Sequence, residues 1–134
     1  MTENKKENLN NRMIKFLFEG APVRGACVQM AEEWQEMIKF HHYPENVAAL
    51  LGQFTAGALL LSSTIKFEGS LILQVKGSGP IAFIYAEVRN PMSVRAMAEI
   101  REGAEIKPEM DLQELINKDG NGLCALILDL SLIH

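Results

Sequence analysis

The sequence predicts an α+β domain, mostly antiparallel strands around a buried central helix, and three observations carry that expectation. From Asn46 to Ile65 no residue is charged, and at about 100° per residue Val47, Leu50, Leu51, Phe54, Ala58, Leu61 and Ile65 share one face of a helix. Gly52, Ala56, Leu59, Leu60 and Ser63 occupy the other side, so the helix is apolar nearly all round and belongs in a protein interior or a bilayer. Gln53, Thr55, Ser62, Ser63 and Thr64, and the lack of basic flanks to orient a spanning segment, favour the interior. Downstream, alternating stretches are separated by short Gly- and Pro-bearing turns, the pattern of antiparallel neighbours. Finally, no linker, repeat or low-complexity run divides residues 12–134, which reads as a single domain.

Met1 to Asn11 has only Leu9 as a large apolar side chain and is expected to be a mobile arm. It lacks the apolar run of a signal peptide. Met13 to Phe18 alternates Ile14, Phe16 and Phe18 against Lys15 and Leu17, Gly20-Ala21-Pro22 breaks it, and Val23 to Met30 resumes as a second strand. In Ala31 to Phe40, Trp34, Met37, Ile38 and His41 mark one face of an amphipathic helix, with Glu32, Glu33 and Glu36 towards its start, where the dipole favours acids. Pro44 suits the first position of the central helix.

Four strands are then expected. Ile65 to Glu68 alternates, Gly69-Ser70 turns, and Leu71 to Lys76 places Leu71, Leu73 and Val75 on one face. Gly77-Ser78-Gly79-Pro80 turns the chain into Ile81 to Val88, and Arg89 to Met92 turns it again into the strand ending at Ile100. Arg101 to Lys107 reads as a loop, Pro108 to Asn117 as a short helix with Met110, Leu112, Leu115 and Ile116 apolar, and Leu123 to Leu130 as a last strand. The order is strand, strand, helix, helix, four strands, helix, strand.

A formal net charge of -4 gives no global attraction to nucleic acid or to an anionic membrane, so neither is expected as a partner. Cys27 and Cys124 are the only cysteines, without the spacing of a zinc site or a disulfide scaffold. Reduced thiols in a cytoplasmic protein follow. Each thiol is expected to be a small buried hydrophobe on a strand, because no base is identifiable beside it.

Residues able to do chemistry are few. Gly77 to Pro80 feeds a strand, whereas a phosphate loop delivers its ligand to a helix N-terminus. His41 and His42 are adjacent on a helix end and point apart, which suits a shared metal poorly. Glu99, Glu102, Glu105, Glu109 and Asp111 read as a solvated edge. No catalytic, cofactor-binding or metal-binding residue is therefore expected. A hydrolytic or small-ligand-binding domain would have to draw on Arg24, Glu19 and His41.

Phe18-Glu19, Val23-Arg24-Gly25, Tyr43-Pro44, Leu59-Leu60-Leu61, Thr64 to Gly69, Leu71, Gln74, Gly77, Gly79-Pro80 and Val94-Arg95-Ala96 stand in an order and spacing that resembles the bacterial 33-kilodalton chaperonin family, the redox-regulated heat-shock holdases. The resemblance runs from about Met13 to Asp129 and is most specific from Thr64 to Pro80. It implies a cytoplasmic, ATP-independent chaperone that holds unfolded client proteins under oxidative or heat stress. The sequence departs from that family in two places: Gln53 stands where an acid is expected, and Ser131 to His134 does not look like the continuation of the N-terminal domain. Members of the family carry a C-terminal zinc module with four cysteines as the redox switch; neither Cys27 nor Cys124 corresponds to one of them. The expectation is a truncated N-terminal holdase domain without zinc or any other cofactor, indifferent to redox state, and associating as a homodimer or higher oligomer through unpaired strand edges.

Overall fold

A computed structural model describes residues 12–39, 41–65, 68–89 and 93–130. Met1 to Asn11, read above as an arm, lies outside them, as do Phe40, Lys66-Phe67, Asn90 to Met92 of the expected turn from Arg89, and Ser131 to His134. The described elements are β1 (Arg12–Leu17), β2 (Arg24–Gln29), α1 (Glu32–Lys39), α2 (Glu45–Thr64), β3 (Gly69–Lys76), β4 (Ile81–Arg89), β5 (Ser93–Ile100), α3 (Leu112–Ile116) and β6 (Leu123–Leu130). All strand pairing is antiparallel. β1 and β2 form a two-stranded sheet, and the other strands form a second sheet in the order β5-β4-β3-β6.

The expected α+β class and element order hold. Of the four-strand run, the last three are β3, β4 and β5; the first, Ile65 to Glu68, contains the undescribed Lys66 and Phe67, and Ile65 at its start is extended (φ -114°, ψ 131°). Gly69-Ser70 is not a turn. Both residues open β3, paired with Leu130 and Asp129, and Gly69 adopts φ 118°, which glycine reaches without a Cβ penalty.

α2 crosses the four-stranded sheet and carries the core with it. Its first half joins Val47 and Leu51 to Ile81, Ile84, Ala98, Leu115 and Ile116; its second half joins Ala58 and Leu59 to Ala86, Val88 and Val94. The buried stripe is Val47, Leu51, Thr55, Ala58 and Leu59, rotated from the face expected above. Leu59 is fully buried, while Leu61 is 37% exposed. The helix is long and apolar enough to cross a bilayer, so composition around its circumference discriminates poorly between faces. Thr55 enters the core because its hydroxyl donates to the Leu51 carbonyl at 2.6 Å. Ser62, Ser63 and Thr64 likewise donate to Leu59, Leu60 and Leu61 carbonyls.

Local contacts fix the remaining elements. Pro44 precedes α2 as its N-cap (φ -57°, ψ 153°), one residue earlier than the first helical position. Asn46 donates to the carbonyls of Lys107 and Met110, tying the start of α2 to the loop before α3. α1 packs through Trp34, whose ring leaves no slack for a side chain at Gly52. α1 ends at Lys39, so His41 is not on its apolar face; it is exposed and stacks on Tyr43 at 5.2 Å. α3, Leu112–Ile116, is little more than a single turn, half the expected span from Pro108 to Asn117, since Asp111 and Glu114 close a capping box at its start. It buries Leu115 and Ile116 and leaves Leu112 exposed.

Candidate functional surface

The polar residues singled out in the sequence do not converge. Arg24 opens β2 and lines a cleft of about 560 Å³ with Lys15, Leu17, Ser63 and Thr64; neither Glu19 nor His41 is among its walls. Glu19 is exposed in the β1–β2 turn. Glu99, Glu102, Glu105, Glu109 and Asp111 are exposed, as a solvated edge should be. Gly77 to Pro80 is the β3–β4 turn, held from outside by Arg101, whose guanidinium donates to the carbonyls of Gly77 and Gly79. Among the described residues, no three His, Cys, Asp or Glu side chains gather as a metal would require.

One polar cluster is built on the sheet face turned away from α2. Glu87 is 8% exposed and accepts from Arg95 at 3.2 Å and Arg89 at 3.3 Å. Burial pushes its carboxyl up, but hydrogen bonds from Ser70, Arg95 and Arg89 outweigh that and hold it below its ordinary value. Its partners all come from the strands of the same sheet, which suits a structural tie between β3, β4 and β5.

Apolar exposure is concentrated elsewhere, on two strands. β1 and β2 pair Met13 with Val28 on the side that packs against Ala58 and Leu59. A two-stranded sheet can bury only one face in this way. The other face carries Ile14 opposite Cys27 and Phe16 opposite Gly25, extended by Phe18 and Val23 at the turn. All four large apolar residues there are exposed. Phe16 and Phe18 lie 5.9 Å apart in a tilted pair, and a Cβ at Gly25 would overlap Phe16 Cζ, so the ring lies across the glycine.

β6 is the second such strand. It forms one edge of the sheet, and Leu123, Leu126, Ile127, Leu128 and Leu130 are all exposed. Cys27 and Cys124 sit on β2 and β6 and are exposed too, which corrects the expectation of buried thiols. Cys27 lies on the outer face of the hairpin, opposite Ile14, and Cys124 on the edge strand of the larger sheet. Exposed large apolar residues on adjacent positions are what a soluble monomer normally avoids, and they mark a surface for apolar partners. The sequence reasoning named no residue of this surface. Its signal was present in β6, apolar on both faces, a pattern that reads equally as a strand buried inside a sheet.

Comparison with known proteins gives the family. The profile of the family described as Hsp33 protein matches residues 11–131. The chain belongs to the Hsp33 family. It is 35% identical over 119 residues to the 33 kDa chaperonin of Chromobacterium violaceum, an alignment covering 89% of this chain and 40% of that protein. The 33 kDa chaperonin of Neisseria gonorrhoeae is 39% identical over 121 residues, covering 90% and 39%. That of Shewanella woodyi is 36% identical over 113 residues, covering 84% and 37%. The chain thus spans about two fifths of the length of these Hsp33 relatives.

Proposed function

We propose that this chain is the client-binding part of a cytoplasmic, ATP-independent holdase chaperone, which captures unfolded proteins on apolar surface and does not act as an enzyme. The exposed row of Ile14, Phe16, Phe18 and Val23 on the outer face of β1–β2 is the observation that supports it most directly. An aggregating client presents hydrophobic area, and burying apolar surface releases roughly 25 cal/mol per Å². Neither bond making nor a bound group is needed for capture, so the activity requires no zinc or other cofactor. Self-association, as a homodimer or larger, belongs to the same reading, and nucleic acid and membrane do not. Membership of the Hsp33 family and the chaperonin names of the relatives support the assignment.

The test is suppression of light scattering by a thermally unfolding client at equimolar chain. Phe16→Ser combined with Phe18→Ser is expected to lower suppression several-fold while the melting curve stays cooperative. Undiminished suppression by that folded variant would remove the hairpin from the function.

A further inference from the structure

We propose that the cleft between the β1–β2 hairpin and the end of α2 recognises an acidic residue in an extended client segment, with Lys15 and Arg24 holding the carboxylate; this rests on the client-binding reading above and names the kind of client selected. The face of the hairpin that packs on α2 at Met13 and Val28 continues towards the turn as Lys15 opposite Ala26 and Leu17 opposite Arg24. α2 ends at Thr64, and there the two elements part around the cleft of about 560 Å³.

Both cations stand on the hairpin wall. The Phe18 N–H donates to the Val23 carbonyl, which makes Leu17–Arg24 and Lys15–Ala26 the close, non-hydrogen-bonded pairs of the ladder. Lys15 and Arg24 are therefore diagonal neighbours about 7–8 Å apart, near enough for two long side chains to meet on one anion. Among the described residues neither has a carboxylate or a carbonyl within bonding distance, and no acid lines the cleft. Two like charges side by side repel, and an anion placed between them turns that repulsion into attraction. The pair also reverses locally the sign of a chain whose formal net charge is -4.

The helix wall has the opposite character. Ser63 and Thr64 donate their hydroxyl protons to the Leu60 and Leu61 carbonyls at 2.6 and 2.9 Å, so towards the cleft they offer lone pairs alone. The last carbonyls of α2 lack helical donors, and no basic residue occupies its last turn. Donors thus line one wall and acceptors the other, while Phe16, Leu17 and Ala26 add apolar surface. A free small anion would use the first wall only. An extended polypeptide carries N–H donors along its backbone, so an acidic residue among apolar ones answers all three features at once. Phe16 also belongs to the exposed row on the outer hairpin face, which makes the cleft continuous with the surface assigned to clients.

The experiment is fluorescence anisotropy on the full chain, run beside client light scattering, with labelled short peptides in which leucine alternates with glutamate, with glutamine or with lysine. The glutamate peptide is expected to bind about 10-fold more tightly than the glutamine peptide at low salt, and to lose that margin as salt approaches about 0.5 M. Lys15→Glu combined with Arg24→Glu should invert the order, so that the lysine peptide binds best. Lys76→Glu combined with Lys107→Glu makes an equal change of net charge at exposed positions outside the cleft and should leave the order as it was. If the reversed hairpin fails to fold, Lys15→Gln combined with Arg24→Gln is expected to erase the glutamate preference. Equal binding of the glutamate and glutamine peptides by the parent chain, or an inversion produced just as well by the Lys76 and Lys107 changes, overturns the cleft; suppression of scattering in that case keeps the holdase reading. A chain that binds none of the peptides and suppresses no aggregation overturns both.

Discussion

Gly77 on the β3–β4 turn lies directly against the carbonyl oxygen of Ile116 at the end of α3, with no room for a methyl group between them. Gly79 meets the Leu115 carbonyl in the same way. These contacts dock α3 on the sheet, and the obstacle is backbone. Gly77→Ala is therefore expected to cost more than about 3 kcal/mol, or to prevent folding. Gly25→Ala meets only the movable tip of the Phe16 ring and should cost less than about 1 kcal/mol. Urea titration of the two variants checks the contrast, and equal midpoints would undo it.

Glu87 gives acid sensitivity a definite sign. Its folded carboxyl titrates below the ordinary value of 4.5, despite burial, because Ser70, Arg95 and Arg89 hydrogen-bond the charged form. The stabilisation is fully present above the unfolded value and is lost as pH falls through the lower folded one. Glu87→Gln should cost about 1 kcal/mol at neutral pH, modest because both arginines are largely solvated. That cost should shrink as pH drops below about 4.5. A deficit constant from pH 7 to pH 3, in denaturant midpoints, would assign the loss to packing instead.

The orientation of α2 can be read from two neighbouring leucines. Leu59→Asp buries a charge without a partner and should unfold the domain, whereas Leu61→Asp, on the open flank, should change stability by about 0.5 kcal/mol or less. Thermal melts in which both behave alike would contradict the buried stripe.

Both thiols are exposed, Cys27 opposite Ile14 on the outer hairpin face and Cys124 on β6. Complete alkylation of both without denaturant, followed by mass spectrometry, is the expected result. Client suppression should be the same with and without a metal chelator. A chelator-sensitive scattering curve would mean that metal has a part in capture.

The elements were legible in the sequence because each rests on local chemistry. The uncharged run to Thr64, the alternation of Leu71, Leu73 and Val75, and the glycine-bearing turn at Gly77 identify helix, strand and reversal without reference to the rest of the chain. The face that α2 buries was not legible. With leucines all round, the choice fell to its tertiary neighbours, and Thr55 could be admitted once its hydroxyl was bonded to Leu51. Nor was the exposure of β6 and Cys124. Local pattern assigns a strand, but its place beside β3, a partner distant in sequence, decides whether it lies inside the sheet or at its rim. The exposed apolar edge of the larger sheet is made by that placement, and no stretch of β6 announces it on its own.

The β1–β2 hairpin is anchored to the core by Met13, Val28 and Met30 and shares no backbone ladder with the larger sheet. Two strands alone are marginal in water. Detachment of this hairpin is thus the low-energy opening of the molecule, and its amides should exchange with deuterium well ahead of those in β3 and β4. Each opening uncovers Ala58 and Leu59 beneath it. Warming would then enlarge the exposed apolar area at this end of α2 before the larger sheet gives way.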